Sequence, residues 1–448
     1  MTFINSLLPF IGIIVFLIVV HEVGHFLTAK LFGVKVLEFG LGYPPRLWGV
    51  RLGETEYTIN ALPLGGFVRM VGEEDPTEPR SLASRPRWQR LVVLFAGSGM
   101  NFILAVVLFT VGFMIPREVS VGRALIGEVV PGSPAAEAGL KAGDVIYEIN
   151  GREVKNVPET GYNIRLNLGE TMTWVIKRER EFMTVRVRAR WAPPEIARVV
   201  EPGEDVRSVA ERVGLSQASV RDAAGIESAL QPGEEIAVRR GTETLTYVAE
   251  EGDTVASVAR KLGASEDAVA SAAGLPDQNR LQAGQELRFA QGPTGIIIGP
   301  QYPFTEVQSK APLKALPLGV RNTFDSLKLA RNEIITWVKG GRSPEVSGPI
   351  GIAQATGEIV EQAGWKSLTD FAALLSINLA VINVLPLPML DGGRIVFVLL
   401  EVLRGGRRVA ARKEALVHLV GLAALLTLVV VISYFDIARI LRGDSLFR

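Results

Sequence analysis

The chain has 448 residues, of which 48% are hydrophobic and only 21% charged, a composition typical of a membrane protein with soluble parts. A formal net charge of +1 gives no reason to expect a nucleic-acid partner. The sequence contains no cysteine, which excludes disulfide bonds, thiolate ligands and a cysteine nucleophile. A metal site would therefore have to use histidine, aspartate or glutamate.

Four apolar stretches are long enough to cross a bilayer, which takes about 20 residues. They cover residues 7–29, 91–115, 371–390 and 415–435. A cleaved signal peptide is the alternative for the first stretch, but no small-residue cleavage site follows it. Lys and Arg are concentrated between stretches one and two and between three and four, which predicts that these loops are cytoplasmic. Residues 116–369 would then face outward in a multi-pass protein of the inner (plasma) membrane.

The first stretch contains His21-Glu22-Val23-Gly24-His25, an HExxH motif. Helical residues i and i+4 share one face, so both imidazoles can bind one Zn²⁺ ion. Glu22 projects about 100° away from His21 and could act as a general base on a water molecule whose pKa the zinc lowers. Two ordinary exposed histidines are the alternative, but ionisable groups inside a bilayer are costly and rare without a function.

A strand, a short helix at 134–138, a turn at Gly143-Asp144 and a hairpin turn at Asn150-Gly151 are predicted after the second stretch. This sequence resembles a PDZ domain, expected over residues 117–194 plus 292–305. Further strands are predicted at 173–178, 184–190 and 294–298. A PDZ domain binds peptides that add a strand to the edge of its sheet. The alternative is a plug or spacer with an empty groove.

Residues 195–291 look inserted before the last of these strands and contain an internal repeat. Residues 200–210 match 249–259, and residues 230–236 match 281–287. Each unit, over 195–245 and 246–291, reads strand, helix, helix, strand. The units resemble LysM modules, which bind N-acetylglucosamine glycans such as peptidoglycan. Both have Ala-Ala-Gly where LysM units often carry Asn, which leaves glycan binding open but not the fold.

An amphipathic linker over 306–368 leads to the third stretch, which runs into Asp391. A catalytic zinc needs a third protein ligand, and Asp391 is the best candidate because it is the only acid in the interior of this span. Pro386 and Pro388 break the helix and free backbone groups that could hold an extended substrate. The glycines at 392 and 393 allow a sharp bend after the ligand. The alternative is an aspartate that caps a helix near the membrane surface.

The HExxH motif, together with Asn383-x-x-Pro386-x-Pro388-x-Leu390-Asp391-Gly392, resembles the site-2 protease family of intramembrane zinc metalloproteases, of the bacterial regulator-of-sigma-E-protease type. Residues 95–102, 57–70 and 347–352 resemble its second core helix, its membrane-associated β-hairpin and the segment before its third span. The resemblance implies zinc ligands His21, His25 and Asp391, with Glu22 as catalytic base. It also implies substrate contacts at Asn383, Pro386, Pro388 and at Gly65 and Gly66 of the hairpin.

We therefore expect a polytopic α-helical membrane protein of about four transmembrane helices, with core halves at 1–116 and 369–448. An extracytoplasmic α+β PDZ-like domain would carry the two inserted βααβ repeats. The expected activity is zinc-dependent cleavage of single-span membrane proteins in the bilayer; the resemblance implies anti-sigma factors or remnant signal peptides. A wall-tethered scaffold is the alternative function, against which the undamaged motifs argue. A metal transporter is a third, disfavoured by the PDZ-like sequence.

Overall fold

Two compact units make up the part of the chain that the computed structural model describes. The described residues are 3–73, 77–213, 220–221, 223–226, 233, 235–240, 243–249, 255, 258, 262, 266–275, 280–290, 292–302, 304–340 and 347–441. The first unit comprises Met1–Glu118, Val307–Ala330 and Pro344–Arg448. The second comprises Val119–Glu306 and Arg331–Ser343.

Helices and strands alternate irregularly along the chain. The helices are α1 Phe3–Leu31, α2 Arg87–Met114, α3 Pro134–Glu137, α4 Val157–Leu166, α5 Val206–Val213, α6 Glu266–Ala272, α7 Pro312–Val338, α8 Pro349–Ala363, α9 Leu368–Val384, α10 Asp391–Leu403 and α11 Ala411–Leu441. The strands are β1 Val36–Leu52, β2 Thr55–Met70, β3 Arg117–Val121, β4 Ala124–Val129, β5 Val145–Ile149, β6 Arg152–Glu153, β7 Thr171–Arg178, β8 Glu181–Arg188, β9 Glu195–Val199, β10 Glu235–Arg240, β11 Glu243–Val248, β12 Glu286–Ala290, β13 Ile296–Pro300 and β14 Phe304–Gln308.

Helices of the first unit are long and apolar enough to cross a membrane at four places in the described chain. They cover Leu7–Leu31, Arg87–Met114, Trp365–Val384 and Arg412–Ile440. These spans lie where the sequence predicts them, and the prediction of a polytopic membrane protein is confirmed. The third span ends six residues earlier than predicted, because its helix stops at Val384 instead of continuing to Leu390. Pro386 and Pro388 follow directly and cannot continue the helical hydrogen bonding.

The antiparallel hairpin of β1 and β2 lies between the first two spans. Its base packs against α1 and α2 through a buried apolar cluster: Ala29, Val34, Val36, Val68, Met70, Leu82 and Val93. Toward the hairpin turn, apolar side chains such as Leu47, Trp48 and Leu52 are exposed. Such side chains suit a lipid environment better than water, because exposing apolar area to water is unfavourable.

The second unit contains a sheet with the strand order β13-β4-β5-β7-β8, to which β6 adds by pairing with β5. Its core includes the fully buried Ile126, Ile146 and Trp174. The strands predicted near 173–178, 184–190 and 294–298 are present as β7, β8 and β13. A β-rich unit separate from the membrane helices is therefore present. Strand β13 pairs with β4 although the inserted segment separates them in sequence.

The inserted segment contains two small apolar clusters. The first is formed by Val200, Val206, Val209, Val220 and Leu287, and also includes Val130 and the partly buried Ile297 of the larger sheet. The second is formed by Ile236, Val238, Val255, Val258 and Val269. Parts of both matched segments of the repeat, among them residues 230–232 and 250–254, lie outside the described residues.

Strand pairing in the insertion runs between the two repeats. β9 of the first repeat pairs with β12 of the second, and β10 of the first pairs with β11 of the second. The register is equivalent in both pairs, since Leu287 lies opposite Arg198 and its counterpart Ile236 lies opposite Tyr247. Each repeat thus has the strand order expected from its sequence, but its closing strand belongs to the sheet of the other repeat.

Candidate metal centre

Three side chains converge between α1 and the start of α10. His21 Nε2 lies 3.1 Å from Asp391 Oδ2, and His25 Nε2 lies 3.2 Å from the same oxygen. The two Nε2 atoms are 3.1 Å apart. Both histidines are buried, with 8% and 6% of their surface exposed. The structure thus brings together the three residues that the sequence predicts as metal ligands.

Glycines allow α1 and α2 to approach each other closely at this point. A Cβ atom at Gly24 would lie 2.4 Å from the carbonyl oxygen of Ala96. A Cβ atom at Gly97 would lie 2.4 Å from His25 Nε2 and 2.6 Å from His21 Nε2. Distances below 3.0 Å are essentially never seen for real Cβ atoms, so the backbone of α2 forms one wall of the centre only because residue 97 is glycine.

Outer partners orient both imidazoles. His25 Nδ1 lies 2.8 Å from the backbone oxygen of Val93, which can only accept, so Nδ1 carries the proton and Nε2 offers its lone pair. Asn101 Nδ2 lies 3.4 Å from His21 Nδ1. The buried Asn101 Oδ1 has no hydrogen-bond partner among the described residues. Rotating this amide by 180° would let Oδ1 accept a hydrogen bond from the Nδ1–H group of His21, which again leaves Nε2 free to bind a metal.

The segment between α9 and α10 presents Asp391 to the histidines. It turns at Met389, whose φ of +77° is unusual for a residue with a side chain. Asp391 is the first residue of α10. The bend expected at the two following glycines does not occur there, because both are helical. They are needed for close packing instead: a Cβ at Gly392 would lie 2.0 Å from the oxygen of Leu385, and one at Gly393 2.4 Å from that of Leu387.

Glu22 faces the β-hairpin. A Cβ atom at Gly66 of β2 would lie 3.2 Å from Glu22 Cγ and 3.3 Å from the backbone oxygen of Gly40. The titratable groups near Glu22 are His21, His25, Asp391 and Arg394. The candidate base is therefore placed between the three converging side chains and strand β2, to which Gly65 and Gly66 belong.

The remaining predicted site residues lie at the end of α9 and directly after it. Asn383 is half-buried in the last turn of α9, Pro386 is exposed and Pro388 is half-buried. Sequence reasoning assigned no role to Val93, Gly97 and Asn101 as neighbours of the histidines. The small residues and the lone asparagine within an apolar helix were the signal that could have indicated a second helix packed on the centre.

The donor set fits zinc. Two imidazole nitrogens and one carboxylate oxygen are the kind of three-residue ligand set that catalytic zinc sites use, with a fourth position left for water or substrate. Ligands of a tetrahedral zinc at about 2.0–2.1 Å are separated by roughly 3.3 Å, close to the separations of 3.1 and 3.2 Å found here. Among the described residues, this is the group of three whose donor atoms lie within 4.8 Å of one another.

Four membrane helices and three converging donors, two of them from an HExxH helix, define the class of a multi-pass membrane metalloprotease. Comparison with known proteins agrees with this class. The chain belongs to peptidase family M50, the site-2 protease family, whose family model matches residues 9–428. The predicted family is thereby confirmed, as is the prediction of a zinc metalloprotease with zinc as its cofactor.

Relatives match over nearly the whole chain. A protein of Fusobacterium nucleatum that is named as a zinc metalloprotease is 30% identical over 444 residues, 98% of this chain and 99% of the relative. The zinc metalloprotease RasP of Oceanobacillus iheyensis is 25% identical over 519 residues, 97% of this chain and 99% of the relative. The regulator of sigma-W protease RasP of Bacillus subtilis is 25% identical over 521 residues, 98% of this chain and 99% of the relative.

Proposed function

We propose that this protein is an intramembrane zinc endopeptidase that cleaves single-span membrane proteins. The observation that carries the proposal is the position of His21 and His25, which lie on a helix apolar enough to span the bilayer and meet Asp391 at its side. A scissile bond has to reach these residues from within the membrane or from its edge. Soluble peptides would lack the apolar segment that such a site accepts.

Each residue has a defined role in this proposal. His21, His25 and Asp391 hold the zinc ion. When bound, zinc supplies a Lewis acid that polarises the scissile carbonyl and makes a water molecule more acidic. Glu22 takes a proton from the attacking water and delivers it to the leaving amine nitrogen. Val93 and Asn101 hold the imidazoles with their Nε2 atoms directed at the centre.

Substrate binding is assigned to strand β2 at Gly65 and Gly66 and to the segment from Asn383 to Pro388. A transmembrane helix hides its carbonyl groups in hydrogen bonds, so it must become extended before it can be cut. A strand edge next to Glu22 can pair with the extended backbone. Helix-breaking residues near the cut site should therefore speed cleavage severalfold, and equal rates for stiff Ala- and Leu-rich substrates would count against this role of the hairpin.

The central experiment compares the wild type with Glu22→Gln on co-expressed single-span substrates. The variant should retain zinc, because all three ligands remain, but should lose cleavage by at least about 100-fold, the usual contribution of a general base. His21→Ala and Asp391→Ala should lose zinc as well. Retained proteolysis in Glu22→Gln, or zinc bound equally well by Asp391→Ala, would contradict the assignment.

Membrane-anchored regulators are the substrate class that the relatives favour. The Bacillus subtilis relative is named as a regulator of sigma-W protease, and anti-sigma factors or remnant signal peptides are single-span substrates of the required kind. We place the protein in the plasma membrane, with the second unit outside the cell on the argument from Lys and Arg placement. The PDZ-like sheet would there bind a peptide or exclude substrates with bulky outer domains. Cleavage rates of tagged substrates with outer domains of increasing length would show the size at which substrates are excluded.

Glycan binding is proposed for the inserted repeats. The resemblance of the repeat to glycan-binding LysM modules supports it, and the two apolar clusters, built from equivalent residues, support two modules of one fold. Peptidoglycan fragments should then bind the full-length protein in detergent and fail to bind a variant that lacks 195–291. If the wild type and the deletion variant bind peptidoglycan fragments equally, the insertion only enlarges the outer unit. A wall-tethered scaffold with an inactive core is the competing function, and cleavage that depends on Glu22 excludes it.

A further inference from the structure

A third histidine, outside the group of converging donors, lies buried in the last span. His418 is 7% exposed in α11, whereas its neighbours Leu416 and Leu419 are 59% and 62% exposed. Polar side chains within membrane spans are costly and rarely present without a partner or a function. His418 is not part of the HExxH motif.

His418 forms a hydrogen bond with the backbone of the segment that precedes Asp391. The backbone N–H of Met389 donates a hydrogen bond to His418 Nδ1 at 2.9 Å. Because the N–H group can only donate, Nδ1 carries no proton and the proton of the neutral ring is on Nε2. Met389 is the residue with φ of +77°, a conformation that L-residues rarely adopt. His418 therefore holds the turn in the conformation that the chain itself disfavours.

Contacts on either side keep the ring and the turn in place. The ring centroids of His418 and of Phe397 in α10 are 5.5 Å apart. One turn further along α11, a Cβ atom at Gly421 would lie 2.2 Å from Cβ of Pro388. Helix α11 thus touches two successive residues, Pro388 and Met389, and approaches them closely because residue 421 is glycine. Two residues beyond Met389, α10 begins with Asp391.

Other backbone bonds in this segment are local. Leu387 N donates to Leu385 O at 2.6 Å and Leu390 N to Leu387 O at 3.2 Å. Among the bonds described for residues 385–390, the one at Met389 reaches a side chain of another helix. In a membrane protein an unsatisfied backbone N–H is costly. If His418 Nδ1 is lost as the acceptor, the turn should therefore change its conformation, because the N–H of Met389 would otherwise lack a hydrogen-bond partner.

We propose that His418 is a positioning residue, which fixes the turn at Met389 and thereby directs the Asp391 carboxylate at His21 and His25. The inference rests on the proposed function in that Asp391 is taken as a metal ligand. His418 itself does not bind the metal. Its acceptor nitrogen, and not its bulk or its charge, is the property that matters.

The test compares two substitutions of His418. In His418→Asn, Oδ1 offers an acceptor close to the position of Nδ1, whereas His418→Leu fills similar space without an acceptor. For His418→Leu we expect zinc affinity to fall by about 10- to 100-fold, the usual effect of losing an outer partner of a metal site. The kcat should fall by a similar factor. His418→Asn should stay within about threefold of the wild type.

A readout that needs neither zinc nor activity completes the test. Hydrogen exchange of residues 385–391 in the metal-free protein should be faster in His418→Leu than in the wild type, and close to the wild-type rate in His418→Asn. Leu419→Ala, on the exposed face of the same helix, serves as a matched control for changes in the span. Equal exchange and zinc affinity in His418→Leu and wild type would overturn the proposal, as would equal defects in the Leu and Asn variants. If the wild type itself bound no zinc, the proposed function would fail, and the exchange result would still decide the role of His418.

Discussion

The metal centre and the inserted repeats are both assembled from segments that lie far apart in the sequence, but the contacts that join these segments differ. At the centre, Asp391 meets His21 across 370 residues of sequence because glycines let helix backbones touch at single positions. In the insertion, two equivalent repeats exchange their closing strands, so that the first strand pairs with the last. The centre depends on a few positions that tolerate no added atom. The insertion depends on extended pairing that many side chains can satisfy.

The largest expected effect is at Gly97, where the centre leaves no space. Gly97→Ala would place a methyl group within 2.4 Å of His25 Nε2, so both imidazoles must move. We expect zinc affinity to fall by more than about 100-fold, beyond the usual loss of an outer partner, and cleavage with it. Gly99→Ala is the matched control, two residues further along the same helix, because no atom lies within 4 Å of the added Cβ. The zinc content of the two purified variants is measured by metal analysis. Equal zinc content in both would contradict the prediction.

The second prediction concerns an ion pair of the second unit between a buried carboxylate and a half-buried guanidinium group. Asp144 is fully buried, and Arg178 donates to its two oxygens at 2.7 and 2.8 Å. Removing one partner of a fully buried pair costs about 3–5 kcal/mol, and the cost is lower here because Arg178 is partly exposed. Arg178→Leu should therefore lower the unfolding free energy of this unit, followed by hydrogen exchange of β5 and β7, while zinc content stays unchanged. Arg180→Leu, at an exposed position nearby, is the control.

The same pair sets a pH dependence. Burial alone would raise the pKa of Asp144, but hydrogen bonds from Arg178 and from the backbone N–H of Lys141 lower it below its ordinary value. A lowered folded-state pKa contributes stability above the ordinary pKa of about 3.9, and this stability is lost as the pH falls through the folded value. The stability difference between the wild type and Arg178→Leu should narrow as the pH falls from 7 to 3. A difference that stays constant would show that Asp144 is not the group involved.

The third prediction tests the exchange of strands in the insertion. Leu287 belongs to the second repeat but is buried in the cluster of the first, and Ile236 shows the reverse arrangement. Substituting a buried leucine or isoleucine by alanine costs about 2–5 kcal/mol. Leu287→Ala should therefore speed hydrogen exchange in α5 of the first repeat, and Ile236→Ala in α6 of the second. Each variant is the control for the other, and an effect confined to the substituted repeat would contradict the exchange.

Much of the centre could be predicted from sequence, because its signal is local. Ionisable residues are rare in apolar spans, so His21, His25 and Asp391 stand out, and the two prolines indicate where the third span ends. The positions of Gly97 and Asn101 against the imidazoles were not predictable, since they depend on how α2 packs on α1. The bend at Met389 instead of at the glycines has a similar cause, because contacts from α11 decide it.

Strand partners in the insertion could not be predicted, because the two repeats are alike. Residues 236 and 287 are equivalent, so local pattern favours neither of the two possible pairings. The anchoring of the insertion decides between them: Arg190 N donates to Pro293 O at 2.9 Å, which holds the two ends of the segment together. Pairing the adjacent strands β9 and β12 then requires little additional loop closure. The position at which the repeats are inserted therefore determines their strand pairing as much as their sequence does.

The smallest expected effect is a cross-link that leaves fold and activity unchanged. The chain has no cysteine, so a disulfide between two introduced cysteines can be detected without interference from native thiols. Ala197 lies opposite Arg288 in the exchanged pairing, whereas pairing within the first repeat would place it opposite Ala237, the equivalent of Arg288.

Under mild oxidation, Ala197→Cys with Arg288→Cys should form a disulfide, because paired strands bring Cα atoms within the 4.4–6.8 Å that the bond requires. Ala197→Cys with Ala237→Cys should stay reduced, and this pair is the matched control because all three positions are exposed. Protease digestion and mass analysis distinguish the two linkages. The reverse result would mean that each repeat closes on itself. The insertion would then consist of two independent modules joined by a short linker, and its first and last strands would not be held together by pairing. The metal centre alone would then be assembled from segments far apart in sequence, because each repeat would close within its own stretch of chain.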